Sequence, residues 1–269
     1  MDNRAIGIFD SGLGGLTMVK KLLELLPNED LVYLGDTGRV PYGSRSVETI
    51  IKYAGQDAEF LALHNIKTMV VACNTVCSVA MDELIYAYDM PIYEVITAPA
   101  VAAAKHTKNG KIGVIGTAAT IRSEAYKSAL TKISEDLEVY MTACPLFVPL
   151  VEEGFVSADN EIAVKVAEQY LKTLKEANID TLILGCTHYP LLSDIISNVM
   201  GETVKLIDSG TETAQLVARE LQQQNLLSDA NPGGGIKYFV TDSIEGFSYR
   251  ASRFLHSDIG GKVQKVTLE

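Results

Sequence analysis

Along this 269-residue chain, short apolar runs alternate with longer amphipathic stretches. The runs at 6–10, 31–34, 69–72, 92–96, 112–115, 137–141, 182–184, 204–207 and 237–240 read as strands buried on both faces. Between them, apolar positions recur at helical spacing over 16–26, 47–64, 76–86, 99–106, 121–134, 161–177, 190–200 and 211–224. Turn residues punctuate the alternation at Gly12-Leu13-Gly14-Gly15, at Lys108-Asn109-Gly110, and at Pro232 with its three following glycines. Strand–helix alternation of this kind predicts an α/β protein with mainly parallel sheets.

The pattern also repeats. Ala5-Ile6-Gly7-Ile8-Phe9 is similar to Lys111-Ile112-Gly113-Val114-Ile115, and Glu29-Asp30-Leu31 recurs as Glu135-Asp136-Leu137, both at an offset of 106 residues. The eleven residues from Asn65 to Thr75 align with those from Asn178 to His188 at an offset of 113, which pairs Cys73 with Cys186. The expected architecture is two similar α/β lobes related by pseudo-symmetry, with the active site in the cleft between them. The first lobe would comprise 1–97 with 208–269, and the second 98–207. Pro99 and Asp208 fall where strands end, as hinge residues between lobes would.

Composition narrows the function classes. The net charge is −11, the pI is near 4.9 and hydrophobic residues are 47%. This is a globular composition that excludes collagen, a disordered tail and a disulfide scaffold. It also lacks the basic excess of a general nucleic-acid binder. Four cysteines are too sparse for a secreted staple framework. The first residues show no signal-peptide pattern, and the longest apolar stretch, 95–104, is too short to span a bilayer. A reduced cytoplasmic protein is the expectation.

Each repeated cysteine follows an apolar strand and precedes a helix. Ligands in open parallel sheets bind beyond the carboxyl ends of strands, so Cys73 and Cys186 are expected to face a cleft, one from each lobe. A buried structural thiol is the alternative for either residue alone. Helix N-termini at these places would favour thiolate over thiol, and Pro190 suits a first helical position just after Thr187 and His188. Two thiols on opposite faces of one carbon can remove and return a proton, which inverts a stereocentre without a cofactor. Phe9-Asp10-Ser11-Gly12-Leu13-Gly14-Gly15 reads as a strand, a carboxylate and a glycine loop that opens a helix; an N-cap at Asp10 or Ser11 is the alternative. Cys77, four residues beyond Cys73, and Cys144, before Pro145, read as core.

Phe9-Asp10-Ser11-Gly12-Leu13-Gly14-Gly15, Pro41-Tyr42-Gly43, Ala72-Cys73-Asn74-Thr75 and Gly185-Cys186-Thr187-His188-Tyr189-Pro190 resemble the motifs of the glutamate racemases, within the cofactor-independent aspartate/glutamate racemase superfamily. The resemblance spans roughly residues 5–220. It implies interconversion of L- and D-glutamate for bacterial peptidoglycan, no cofactor, no metal and no nucleic-acid or membrane partner. It further implies a homodimer. The family's catalytic thiols fall on Cys73 and Cys186, and its assisting groups on Asp10, Glu152 and His188. Its substrate-binding positions fall on Asp10, Ser11, Pro41, Tyr42, Gly43, Asn74, Thr75, Thr117, Thr120, Thr187 and His188. Some members have a longer N-terminal region and respond to a cell-wall precursor; with five residues before Ile6, such activation is not expected here.

Other readings are an aspartate racemase or related isomerase, and a two-lobed binding protein for a small acid. A redox pair at Cys73 and Cys77 lacks the two-residue spacing of thioredoxin-type motifs. A metal site at Cys73, Cys186 and His188 lacks an accompanying CxxC or HxxxH cluster.

Overall fold

The computed structural model describes residues 1–229, 233–255, 259 and 261–268. Ten parallel strands form two sheets among these residues. The strands are β1 (Ala5–Asp10), β2 (Leu31–Gly35), β3 (Ile66–Val71), β4 (Ile92–Glu94), β5 (Lys111–Gly116), β6 (Glu138–Ala143), β7 (Thr181–Gly185), β8 (Lys205–Asp208), β9 (Ile236–Val240) and β10 (Val263–Lys265). The helices are α1 (Leu16–Leu25), α2 (Val47–Ala62), α3 (Asn74–Cys77), α4 (Met81–Ala87), α5 (Thr97–His106), α6 (Ala118–Arg122), α7 (Ala125–Ile133), α8 (Phe147–Glu152), α9 (Glu161–Glu176), α10 (Ser193–Met200), α11 (Ser209–Gln223) and α12 (Ile244–Leu255).

One sheet runs β10-β9-β2-β1-β3-β4 and the other β6-β5-β7-β8. The order β2-β1-β3-β4 in the first is the order β6-β5-β7-β8 in the second, so the sequence repeat is a repeat of topology. Its residues have the same local duties in both copies. A side chain on Gly7 would strike Ile66 Cδ1 at 2.6 Å, and one on Gly113 would strike Ile179 Cδ1 at 2.4 Å. Asn65 and Asn178, in the turns that lead into β3 and β7, both adopt the left-handed conformation (φ 52° and 56°), where asparagine is tolerated better than most residues.

Central strands β1, β2, β3 and β7 are buried nearly throughout. Burial on both faces explains why they read as unbroken apolar runs. Helix starts are set by local capping: Ser46 accepts from Thr49 N, Asn160 from Ala163 N and Asp208 from Gly210 N.

Three helices expected to be continuous are broken. The stretch 76–86 divides into α3 and α4, and 121–134 divides at Glu124, which is left-handed at φ 54°. The stretch 190–200 begins as a 3-10 turn, Tyr189–Leu192, before α10. Periodicity records which positions are buried and does not register a break of a few residues between two helical segments. The turn expected at Pro232 lies outside the described residues. No helix among the described residues is long and apolar enough to cross a membrane.

Candidate active site

The carboxyl ends of β1 and β3 from one sheet and β5 and β7 from the other converge on one cavity. It is lined by Ser11, Val40, Pro41, Tyr42, Gly43, Cys73, Asn74, Thr75, Thr117, Val148, Cys186, Thr187 and His188. Its space is small, about 30 Å3. Cys73 and Cys186 therefore share one chamber, each at the end of an equivalent strand. All four cysteines are free thiols. Cys77 and Cys144 turn elsewhere, their sulfurs directed at the carbonyls of Val71 (3.2 Å) and Thr142 (3.7 Å).

The two thiols have different surroundings. Cys73 Sγ donates to Ser11 Oγ at 3.4 Å. Burial, aided by the negative charge of Asp10, pushes this thiol up to about 12. The expectation that a helix N-terminus would favour the thiolate fails here: Cys73 caps α3, a helix of four residues, and desolvation outweighs so short a dipole. Asp10 is itself fully buried and raised by desolvation. It accepts from Gly12 N at 2.9 Å and from Thr187 Oγ1 at 3.5 Å, so it reaches across to the second sheet.

Cys186 Sγ lies 4.0 Å from His188 Nδ1, and His188 Nε2 lies 3.1 Å from Glu152 Oε1. Burial alone would lower His188. The contacts with Cys186 and Glu152 overcome it and hold the imidazole up at about 10. Desolvation raises Glu152, but the bond to His188 outweighs it and leaves this carboxyl below its ordinary value. At neutral pH the second thiol thus has an imidazolium–carboxylate pair behind it, and the first has the buried Asp10 carboxyl.

The polar wall is built from hydroxyls and one amide. Thr75 Oγ1 lies 3.0 Å from Thr117 Oγ1, which lies 3.1 Å from Thr120 Oγ1. Thr117 also caps α6 by accepting from Thr120 N. Asn74 Nδ2 donates to Tyr126 OH at 2.7 Å, and Asn74 Oδ1 is buried with no hydrogen-bond partner among the described residues.

Eleven of the sequence-nominated residues line the cavity. Asp10, Thr120 and Glu152 stand behind it, acting on Thr187, Thr117 and His188. Tyr42 presents its ring and backbone, because its hydroxyl is engaged by Asp36 and Asp57. Val40 and Val148 are additional lining residues; an apolar side chain carries no mark in sequence that separates wall from core. Among the described residues, no group of three or more His, Cys, Asp and Glu side chains is placed to hold a metal ion.

A model of the Asp/Glu/hydantoin racemase family matches residues 6–217. The glutamate racemase of Geobacter metallireducens is 49% identical over 266 residues, covering 99% of this chain and 97% of that protein. Among solved structures, glutamate racemase isoform RacE1 from Bacillus anthracis superposes with a TM-score of 0.95 at 40% identity, covering 100% of this chain and 99% of that one. The Francisella tularensis glutamate racemase, solved in complex with D-glutamate, gives a TM-score of 0.93 at 40% identity over the same shares. The family model over most of the chain and these full-length likenesses have one conclusion: the chain belongs to the Asp/Glu/hydantoin racemase family.

Proposed function

We propose that this chain interconverts L- and D-glutamate by passing the α-proton between Cys73 and Cys186. The observation that carries the reading is the shared chamber: two thiols, at the ends of equivalent strands, line one cavity in opposite electrostatic settings. One sulfur takes the α-hydrogen, breaking C–H and forming S–H. The other gives its proton to the opposite face of the same carbon, and the two thiols exchange protonation states in each turnover. Cys73, held protonated by burial, is the resting acid. Cys186, with the His188 imidazolium 4.0 Å away, has the charge partner a thiolate needs when this sulfur acts as the base. Asp10 assists the first thiol, and His188 with Glu152 assists the second.

Neutral donors suit the substrate carboxylates: Ser11, Thr75, Thr117 and Thr187 supply hydroxyls, with Thr120 behind Thr117 and the backbone of Pro41, Tyr42 and Gly43 completing the wall. Asn74 Oδ1, a buried acceptor without a partner, suits the substrate ammonium. A chamber of about 30 Å3 has room for a water or so, and glutamate enters after the walls part. The relatives named glutamate racemase come from bacteria, which supports a place supplying D-glutamate for peptidoglycan.

The test is racemisation in heavy water. Reduced wild-type protein is expected to erase the optical rotation of either glutamate enantiomer while placing one deuterium at Cα, and to do so far more slowly with aspartate. Retained rotation of both glutamates overturns the reading. Cys73→Ala and Cys186→Ala are expected to bind glutamate without racemising it, and a wild type that does the same is a binding protein.

A further inference from the structure

Behind the Pro41-Tyr42-Gly43 wall lies a buried polar cluster that the chemistry above does not use. Asp36, at the end of β2, and Asp57, on α2, are both fully buried. Tyr42 OH is within hydrogen-bond distance of both, with Asp57 Oδ2 at 3.0 Å. Arg39 is the cation between them: Nε donates to Asp36 at 2.5 Å, Nη2 to Asp57 Oδ1 at 3.0 Å and Nη1 to Gln56 at 2.5 Å. Its guanidinium also stacks 4.1 Å above the Tyr53 ring. Thr241 Oγ1, just past β9, donates to Asp36 Oδ1 at 2.7 Å.

The protons do not balance if both carboxyls are ionised. A phenol has one hydrogen and touches two carboxyls. Asp36 already collects Arg39 and Thr241 as an ionised acceptor would, so the phenol hydrogen goes there. The bond to Asp57 then needs a hydrogen from Asp57. One shared proton also makes two carboxyls and one guanidinium neutral overall, which a buried cluster requires. Burial and the charge of Asp36 both act on Asp57 in this direction.

We propose that Asp57, as a neutral acid donating to Tyr42, forms with Asp36 and Arg39 a brace that positions the Pro41-Tyr42-Gly43 wall for substrate binding. These three are positioning residues, and the inference rests on the racemase reading. The brace holds the wall and neither thiol, so its loss acts on KM more than on kcat.

The test compares Asp57→Asn, Asp57→Ala and Asp36→Asn in glutamate racemisation by the full chain. Asparagine copies a neutral acid: its amide donates to Tyr42 and its carbonyl accepts from Arg39. Asp57→Asn is expected to keep KM within about threefold, whereas Asp57→Ala raises KM about tenfold or more with little change in kcat. Asp36→Asn is expected to behave like Asp57→Ala, because one amide oxygen cannot accept three donors and its NH2 faces them. A wild type that racemises while Asp57→Asn is as impaired as Asp57→Ala overturns the brace and leaves the racemase reading intact. So does an unchanged KM in Asp57→Ala and Asp36→Asn. If either of those variants fails to fold, Asp57→Asn decides alone: a tenfold rise in its KM overturns the brace, and a near-wild-type KM supports it. A wild type without racemisation overturns the reading beneath.

Discussion

Gly14 and Thr187 come from opposite sheets, yet a Cβ added to Gly14 would lie 2.0 Å from Thr187 Oγ1 and 2.7 Å from His188 Nδ1. The glycine loop after β1 is thus the seat of the second thiol's neighbours. No side chain fits between them.

Gly14→Ala follows directly. The methyl group must displace Thr187 and His188, moving the partners of Asp10 and Cys186. Overpacking of this kind costs about 1–3 kcal/mol of stability. A displacement of about 1 Å among reacting groups lowers turnover about a hundredfold. Denaturant unfolding and racemisation kinetics check the two numbers, and unchanged kinetics would remove Gly14 from the site.

The Glu152–His188 pair makes stability depend on pH. His188 keeps its proton to about 10 in the folded chain, against an ordinary 6.5. Its contribution is full below 6.5 and falls as pH rises toward 10, with a slope of up to about 1.4 kcal/mol per pH unit. Glu152 is lowered, so its contribution is present above its ordinary 4.5 and is lost as pH falls. The pair contributes most between those ordinary values. Urea unfolding of wild type and His188→Gln across the range should show the wild type losing stability more steeply above pH 6.5. Parallel curves would contradict the pairing.

Tyr126 ties the chamber to the chain crossing between the sheets. Its hydroxyl donates to Val95 O at 2.8 Å and accepts from Asn74 Nδ2 at 2.7 Å. Tyr126→Phe leaves a buried carbonyl and a buried amide short of a partner, with Asn74 keeping only 3.4 Å contacts to Val95 O and Ser209 Oγ. The expected cost is about 1–3 kcal/mol in chemical denaturation, with weakened glutamate binding because Asn74 is no longer held.

Lys67 is a buried cation far from the chemistry in role. Its Nζ donates to Glu29 Oε2 at 2.5 Å and to the carbonyls of Asp2 and Leu226, each at 2.8 Å. Lys67→Ala strands the Glu29 carboxylate and is expected to cost about 3–5 kcal/mol. Replacing both partners, Lys67→Met with Glu29→Gln, should cost clearly less. Equal losses in calorimetric unfolding would mean that the pair's charge is unimportant.

Much of the site was legible where motif and repeat coincide. Cys73 and Cys186 stand out because an eleven-residue match puts them at one structural spot. Ser11, Asn74, Thr75 and Thr187 adjoin strand ends, where open sheets place ligands. Arg39, Asp36 and Asp57 were not legible: their contacts join β2, a loop, α2 and the segment after β9, and nothing in local spacing relates Asp36 to Thr241. Glu152 meets His188 across 36 residues, through a helix, α8, that periodicity did not reveal.

The amino-acid order by itself determined nine of the ten described strands and the repeat, but not the short β10, because these depend on neighbours within a few positions: an apolar run, a glycine where a strand approaches Ile66 or Ile179, a matching asparagine before β3 and β7. Only the tertiary structure decided the character of the two thiols. Cys73 and Cys186 are alike in sequence, but exclusion of water and the placement of Asp10 near one and His188 with Glu152 near the other are through-space effects. Electrostatic energy depends on distance and burial, and neither is a property of position along the chain.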